Sequence, residues 1–195
     1  MRSRFLPEGR LLHTPENEAA CASRDGLRRA MEEGTVLEGV AQLCDGAHNL
    51  LVSVGPFTGF LPREEAALGI AEGTTREIAI LSRVGKPVCF QITALEESEG
   101  VLRPRLSRRR AQQAALDAML AGLHPGCILP AVVTHLESFG AFVDIGCGVP
   151  SLIGIESISV SRIPHPDQRF RVGQAIFAVV QELDPKLGRV YLTHR

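Results

Sequence analysis

The stretch "HLESFGAFVDIG" (residues 135–146) carries two of the chain's eight phenylalanines, Phe139 and Phe142, on either side of Gly140-Ala141, in a sequence with no tryptophan and one tyrosine. An aromatic ring left in solvent on a strand is a platform for a flat heterocycle, and stacking a nucleobase on one is worth roughly 1 to 3 kcal/mol. In a regular strand over "AFVDI", Ala141, Val143 and Ile145 point one way and Phe142 and Asp144 the other. Phe142 then shares its face with a charge and is expected on the solvated side. Phe139, three residues earlier, falls on the opposite face of a regular strand and joins Phe142 only where Gly140 permits a bulge or twist. The alternative is that one or both rings belong to a core.

Other chemistry has little support. The chain holds no P-loop, no H-x-x-x-H, no G-x-S-x-G and no paired carboxylates on one expected element, so intrinsic catalysis is not expected. Asp144, Glu156 and Asp184 read as scattered, solvated acids. The five cysteines (Cys21, Cys44, Cys89, Cys127 and Cys147) are odd in number and never form C-x-x-C, which gives free thiols and no signal for a disulfide framework, metal or cofactor. A formal net charge of -1 argues against a strong, non-specific binder of nucleic acid. A stacking platform needs only a local cationic groove and is not excluded. The local basic cluster is Arg103, Arg105, Arg108, Arg109 and Arg110, with only Asp117 as a neighbouring acid in sequence, and reads as a solvated helix face or an RNA contact.

These residues must be positioned by elements, and the punctuation of the sequence supplies them. Residues 1–33 read as a short helical segment, with Thr14 capping a helix at Pro15 and Ser23 capping "RDGLRRAMEE" before Gly34. From Gly34 the pattern changes to short near-alternating runs of Val, Leu and Ile broken by Gly and Pro, which are strands. Two stretches then repeat: "VGKPVCFQITALEESEG" parallels "VGQAIFAVVQELDPKLG", and "GTVLEGVAQL…GFLP" parallels "GCILPAVVTHL…SLIG", at a period of about 90 residues. One domain type therefore occurs twice, over 34–107 and 122–195. A helix over 108–121, capped by Ser107 and with Ala115, Leu116, Met119 and Leu120 on one side, joins them. In the second copy five strands are expected at Cys127–Leu136, Gly140–Ile145, Ser151–Gly154, Ala175–Leu183 and Gly188–Thr193, with a long polar connection after the third. That is the pattern of a small five-stranded barrel of the OB type, with Gly146 and Gly148 able to take positive φ in "DIGCGVP". The fold class is mainly β. No apolar run approaches the roughly 20 residues of a membrane-spanning helix, and no secretory leader is evident, which gives a cytoplasmic expectation without a membrane partner.

"PGCILPAVVTHLESFGAFVDIGCGVPSLIGIESIS" followed by "FRVGQAIFAVVQELDPKLGRVYLTHR" strongly resembles the S-one RNA-binding domain, the repeat of ribosomal small-subunit protein S-one that also occurs in polynucleotide phosphorylase and ribonuclease E. The first copy resembles it more loosely, through "EEGTVLEGVAQL", "GFLPREE" and "RVGKPVCFQI", as a degenerate member. The resemblance places Phe139 and Phe142 at the family's exposed aromatic positions. It also carries contacts to Asp184 and Arg189 in "DPKLGR", the arginine for a phosphate or base and the carboxylate for a ribose hydroxyl or base edge. The residue-level alternative for that pair is an ion pair across a turn. In the third strand this chain reads "LIGIE", with Gly154 where the family commonly has the histidine of an "LLHIS"-like motif, and one side-chain contact is missing. Arg162, His165, Arg169 and Arg171 in the long connection are candidates to compensate by touching backbone phosphate.

In the first copy His48 and Leu51 align with the two phenylalanines and Pro62 with the histidine position, so that platform is absent and a protein contact is the expected role. Arg103 aligns with Arg189, which keeps a weak RNA contact open. The resemblance implies a binder of single-stranded RNA, mRNA or other, in translation or RNA metabolism. The small ribosomal subunit or another protein would be met through the first domain. The alternatives are a protein-interaction adaptor that has lost RNA binding, and an accessory region of a larger RNA-processing protein.

Overall fold

The computed structural model describes residues 5–195; the first four residues of the expected N-terminal segment lie outside them. The chain forms two compact units: Glu8–Gln113 is one, and Ala114–Arg195 with the described residues before Glu8 is the other. The first unit contains α1 (Pro15–Cys21), α2 (Arg24–Glu33), β1 (Leu37–Cys44), β2 (Leu50–Val54), β3 (Phe57–Leu61), α3 (Ile78–Leu81), β4 (Pro87–Ser98) and β5 (Val101–Ser107). Helix α4 (Arg108–Gly122) follows. The second unit then contributes β6 (Ile128–Glu137), β7 (Gly140–Asp144), β8 (Pro150–Gly154), β9 (Ala175–Asp184) and β10 (Arg189–Thr193).

Each set of five strands closes into a barrel with the same neighbours: β1-β2-β3-β5-β4 in the first, β6-β7-β8-β10-β9 in the second. The closing contact is parallel in both, Phe60 against Arg105 and Leu152 against Tyr191. Two registers shift at matching places, by one residue at Gln42 and Thr134 and by one at Thr93 and Gln181. Such bulges sharpen strand twist, which a small barrel needs to close. Alternation fills the interior. In the second barrel Leu129, Ala131, Val133, Ala141, Val143, Ile153, Ile176, Ala178, Val180, Val190 and Leu192 are buried, while their strand neighbours face outward.

The caps act as the sequence expects. Thr14 accepts the Asn17 N–H, Ser23 accepts the Gly26 N–H, and Gly34 ends α2 at φ 64°. Ser107 accepts the Arg110 N–H at the start of α4. The N-terminal segment also does more than fill space. The Asn17 carboxamide donates to the Glu38 carbonyl (3.0 Å) and accepts the Glu38 N–H (2.8 Å), so a side chain pairs with β1 as a strand would. Glu38 is buried, with Oε2 accepting the Gly9 N–H (2.9 Å) and Oε1 without a hydrogen-bond partner among the described residues. Burial pushes its carboxyl up to about 7.

Three of the five arginines of the basic cluster, Arg105, Arg108 and Arg109, meet acids from afar, while Arg103 and Arg110 are exposed. Arg108 is buried, and its Nε and Nη2 meet the Glu8 carboxylate at 2.9 and 2.5 Å, while Glu8 also accepts the Cys89 N–H at 2.8 Å. Burial works to raise the Glu8 carboxyl, but the Arg108 charge and hydrogen bond, helped by Arg83, hold it below its ordinary range. Arg109 faces Glu65 at 3.9 Å, and Arg105 faces Glu96 at 3.5 Å. These acids lie 9 to 100 residues away in sequence, so the local reading, which saw only Asp117, missed them.

Candidate nucleic-acid interface

The turn between β6 and β7 answers how Phe139 and Phe142 come together. Glu137 pairs with Gly140, so Ser138 and Phe139 form the tip of a tight hairpin and Phe139 is not a strand residue. No bulge at Gly140 is involved; the register shift of this hairpin lies on the partner strand at Thr134. The tip folds the Phe139 ring against Phe142, edge to face, with centroids 6.1 Å apart and planes at 88°. Phe139 is 53% exposed and Phe142 half-buried, so neither is core. Glycine is required at 140 because a Cβ there would collide with the Ile153 carbonyl of β8. The Phe139 carbonyl accepts the Ile155 N–H (2.9 Å), which ties the tip to the end of β8.

Phe142 belongs to a row that the registers align across the outer face: His135 on β6, Phe142 on β7, Leu152 on β8 and Tyr191 on β10. The His135 ring lies 6.2 Å from Phe142 and its Nε2 is 2.7 Å from Glu137 Oε1. His135, Leu152 and Tyr191 were not singled out from the sequence. The available signal was Tyr191, the one tyrosine of the chain, at an outward position of an alternating strand.

Asp144 does not mark a solvated face. It is buried, and its carboxylate accepts the N–H groups of Gly146 (2.8 Å) and Gly148 (3.0 Å). It organises a turn in which Gly146, Cys147 and Gly148 all have positive φ. A short acid two residues before a glycine is a turn-former as readily as a surface charge.

The other sequence-derived site residues are spread around the barrel. Arg189 and Asp184 are register partners on β10 and β9, two residues along from Tyr191, so Arg189 lies roughly 7 Å down the strands from the aromatic row and on the side away from the Phe139 tip. They form no ion pair: Asp184 Oδ1 accepts the Leu187 N–H (3.1 Å) of the β9–β10 turn, and the exposed Arg189 has no carboxylate partner among the described residues. His165 is half-buried and caps a short 3₁₀ turn, its Nδ1 accepting the Asp167 N–H at 3.2 Å. Arg169 and Arg171 are exposed where the connection returns to β9, and Gly173 there donates to Val133. Arg162 lines an open cleft with Glu156, Val160 and Arg195 at the end of β8. The structure thus brings together Phe139, Phe142, His135, Leu152 and Tyr191, with Arg189 at one end of that face. It does not bring His165, Arg169 or Arg171 into ring or ion-pair contact with it among the described residues.

In the first barrel the same registers put Leu43, Leu51, Phe60 and Arg105 in the equivalent row. His48 stands at the hairpin tip, held at φ 63°, with Nδ1 2.6 Å from Glu77 Oε2. Arg63 and His48 together hold the Glu77 carboxyl below its ordinary range, the Arg63 hydrogen bond contributing most. Phe60 is covered by the Arg105 guanidinium, 5.5 Å from the ring centroid.

A comparison with protein families matches residues 123–195 to the S1 RNA binding domain, the S-one domain of the sequence resemblance. The second barrel falls entirely within that match. Among curated proteins the chain is 28% identical over 172 residues to the small ribosomal subunit protein bS1 of Neisseria meningitidis, covering 85% of this chain and 28% of that one. It is 28% identical over 193 residues to the bS1 protein of Mycobacterium tuberculosis (95% and 37%), and 37% identical over 113 residues to protein tex of Bordetella pertussis (58% and 14%). The chain therefore spans between 14% and 37% of the length of these relatives. The first barrel has the same topology and bulges as the second and lies outside the family match, in keeping with a diverged copy.

Proposed function

We propose that the second barrel binds single-stranded RNA by stacking unpaired bases on Phe139 and Phe142, with Tyr191 and His135 extending the platform and Arg189 holding a phosphate or base at its far end. The observation that carries this is the exposed Phe139–Phe142 pair on the outer face of an S-one domain. Base–aromatic stacking is sequence-tolerant, which suits binding to mRNA or other unpaired RNA in translation or RNA metabolism. The ribosomal relatives make the small subunit a fitting setting, and with it the cytoplasm. The chain acts as a binding module rather than a catalyst. Asp184 contributes by fixing the β9–β10 turn beside Arg189, Arg162 and Arg171 act as outlying cations, and His165 offers its Nε2 as an outlying polar contact.

Fluorescence anisotropy of a labelled single-stranded RNA of about a dozen nucleotides tests this. The wild type binds, and Phe139→Ala/Phe142→Ala loses at least about tenfold, within what even one stacked base contributes. The salt dependence is shallow, because few phosphates are neutralised. Equal binding by the folded double variant would sink the stacking reading.

One observation favours a second reading, in which the domain is a protein adaptor. Ile128 and Phe177 on β6 and β9 are 68% and 71% exposed and share the outer face on the far side of the barrel order from β8. Wild-type protein that binds no RNA at low salt would transfer the function to that face.

A further inference from the structure

Gly154 leaves a gap on the interface, and a carboxylate occupies it. A Cβ built on Gly154 would collide with Glu156 Oε1 and lie 2.9 and 3.0 Å from its Cδ and Oε2. The Glu156 carboxylate therefore lies flat over the glycine backbone at the end of β8. Gly154 pairs with Gly140, which also lacks a side chain, and both stand two residues along their strands from the Phe142–Leu152 row, on the same side of the sheet. Gly140 is buried, with Leu152 Cδ1 against it, whereas Gly154 is half-buried, covered by the Glu156 carboxylate and tied to the Phe139 tip by the Ile155 N–H that the Phe139 carbonyl accepts. Neighbouring strands are about 4.8 Å apart, so the carboxylate lies within reach of the edge of a base stacked on the rings.

Glu156 is exposed and has neither hydrogen bond nor ion pair among the described residues. Both of its oxygens are thus available as acceptors. The adjoining cleft of about 520 Å³ carries Arg162 and Arg195, which offset the repulsion that a carboxylate exerts on a nucleic-acid backbone.

Resting on the stacking reading above, we propose that Glu156 is the base-reading residue of this interface and that it selects guanine at the nucleotide stacked on Phe139 and Phe142. Of the four bases only guanine presents two adjacent donors on its Watson–Crick edge, N1–H and the N2 amino group, which match the two oxygens of one carboxylate. Adenine and cytosine each set an acceptor nitrogen beside their amino group, and uracil flanks its single N–H with two carbonyls. All three meet a carboxylate with one bond and one repulsion. Bidentate, charge-assisted pairing is the arrangement that discriminates best.

The test is anisotropy with labelled RNAs of about a dozen nucleotides in which uridine alternates with guanosine, inosine, adenosine or cytidine, on wild type and on Glu156→Ala. The guanosine RNA binds wild type about tenfold tighter than the adenosine or cytidine RNA, the size of one bidentate base contact. Inosine, which keeps N1–H and lacks the amino group, falls between. Glu156→Ala binds all four alike, at the level of the weaker wild-type complexes; Glu156→Gln, which keeps the shape of the side chain, also loses most of the preference. Equal wild-type affinities, or a guanosine preference that survives Glu156→Ala, overturn the assignment while leaving the stacking reading standing. Failure of every RNA to bind overturns both.

Discussion

In both barrels the second strand pairs with the third in one register, so position 51 in the first barrel and position 142 in the second are the same place on the outer face. Leu51 stands in one and Phe142 in the other, and at the hairpin tips His48 is engaged with Glu77 while Phe139 is open to solvent. The closing strands differ in the same way, Arg105 pressed on Phe60 where Tyr191 stands beside Leu152. The buried alternation and the two bulges are common to both barrels. A closed barrel of this kind is specified by its inward residues and register, which leaves the outward row free to become a stacking surface or a set of internal contacts.

A second difference lies on the opposite side. Glu38 and Cys89, register partners on β1 and β4, are buried beneath the N-terminal segment, whereas their counterparts Pro130 and Phe177 on β6 and β9 face outward, Phe177 at 71% exposure. The first barrel thus owes part of its stability to contacts that the second does without. The largest expected effect follows from breaking them. Glu8→Ala leaves Arg108 buried without its carboxylate and destabilises the first unit by about 3 to 5 kcal/mol. Because Tyr191 is the chain's one tyrosine and there is no tryptophan, intrinsic fluorescence reports the second barrel alone. Urea denaturation followed by circular dichroism should split into an early and a late phase while the Tyr191 midpoint stays put; a joint shift of both would show the two barrels to be one cooperative unit.

A smaller effect sharpens the same contrast. Glu38 titrates at about 7 in the folded state against an ordinary value of 4.5, so folding binds a proton between those values. Its contribution to stability is complete below pH 4.5 and lost as pH rises through 7. Glu38→Gln is neutral throughout and should stabilise the first unit by about 2 kcal/mol at pH 8, with little effect at pH 4. An equal gain at both pH values would mean that packing, not charge burial, sets the difference. Glu8 has the opposite sign: its carboxyl lies below the ordinary range, so its ion pair with Arg108 is intact above pH 4.5 and is lost as acid protonates it.

Much of this architecture was legible in the sequence because it is encoded locally. Alternation gave the five strands of the second copy to within about a residue at each end, and Thr14, Ser23, Gly34 and Ser107 mark helix ends by their own hydrogen bonds or backbone angles. Phe142 was readable as outward from period two alone. What could not be read depends on partners distant in the chain or on turn geometry. Phe139 escapes the strand rule because it sits at a hairpin tip, and Asp144 is buried because a turn of three successive positive-φ residues folds the Gly146 and Gly148 N–H groups back onto it. Arg108, Arg109 and Arg105 look free until Glu8, Glu65 and Glu96 reach them. The row from His135 to Tyr191 exists only once four strands are in register, and Glu156 gains its place only because Gly154 has no side chain.

The most direct test of the central claim, that the two barrels share a scaffold and only the second presents an RNA platform, is a map of backbone amide shifts by nuclear magnetic resonance during titration with a single-stranded RNA of about a dozen nucleotides. Perturbations are expected to concentrate on Phe139, Gly140, Phe142, Gly154, Glu156 and Tyr191, to fade toward Arg189, and to leave His48, Leu51 and Phe60 unmoved. Perturbations centred on the first barrel, or on Ile128 and Phe177, would contradict it.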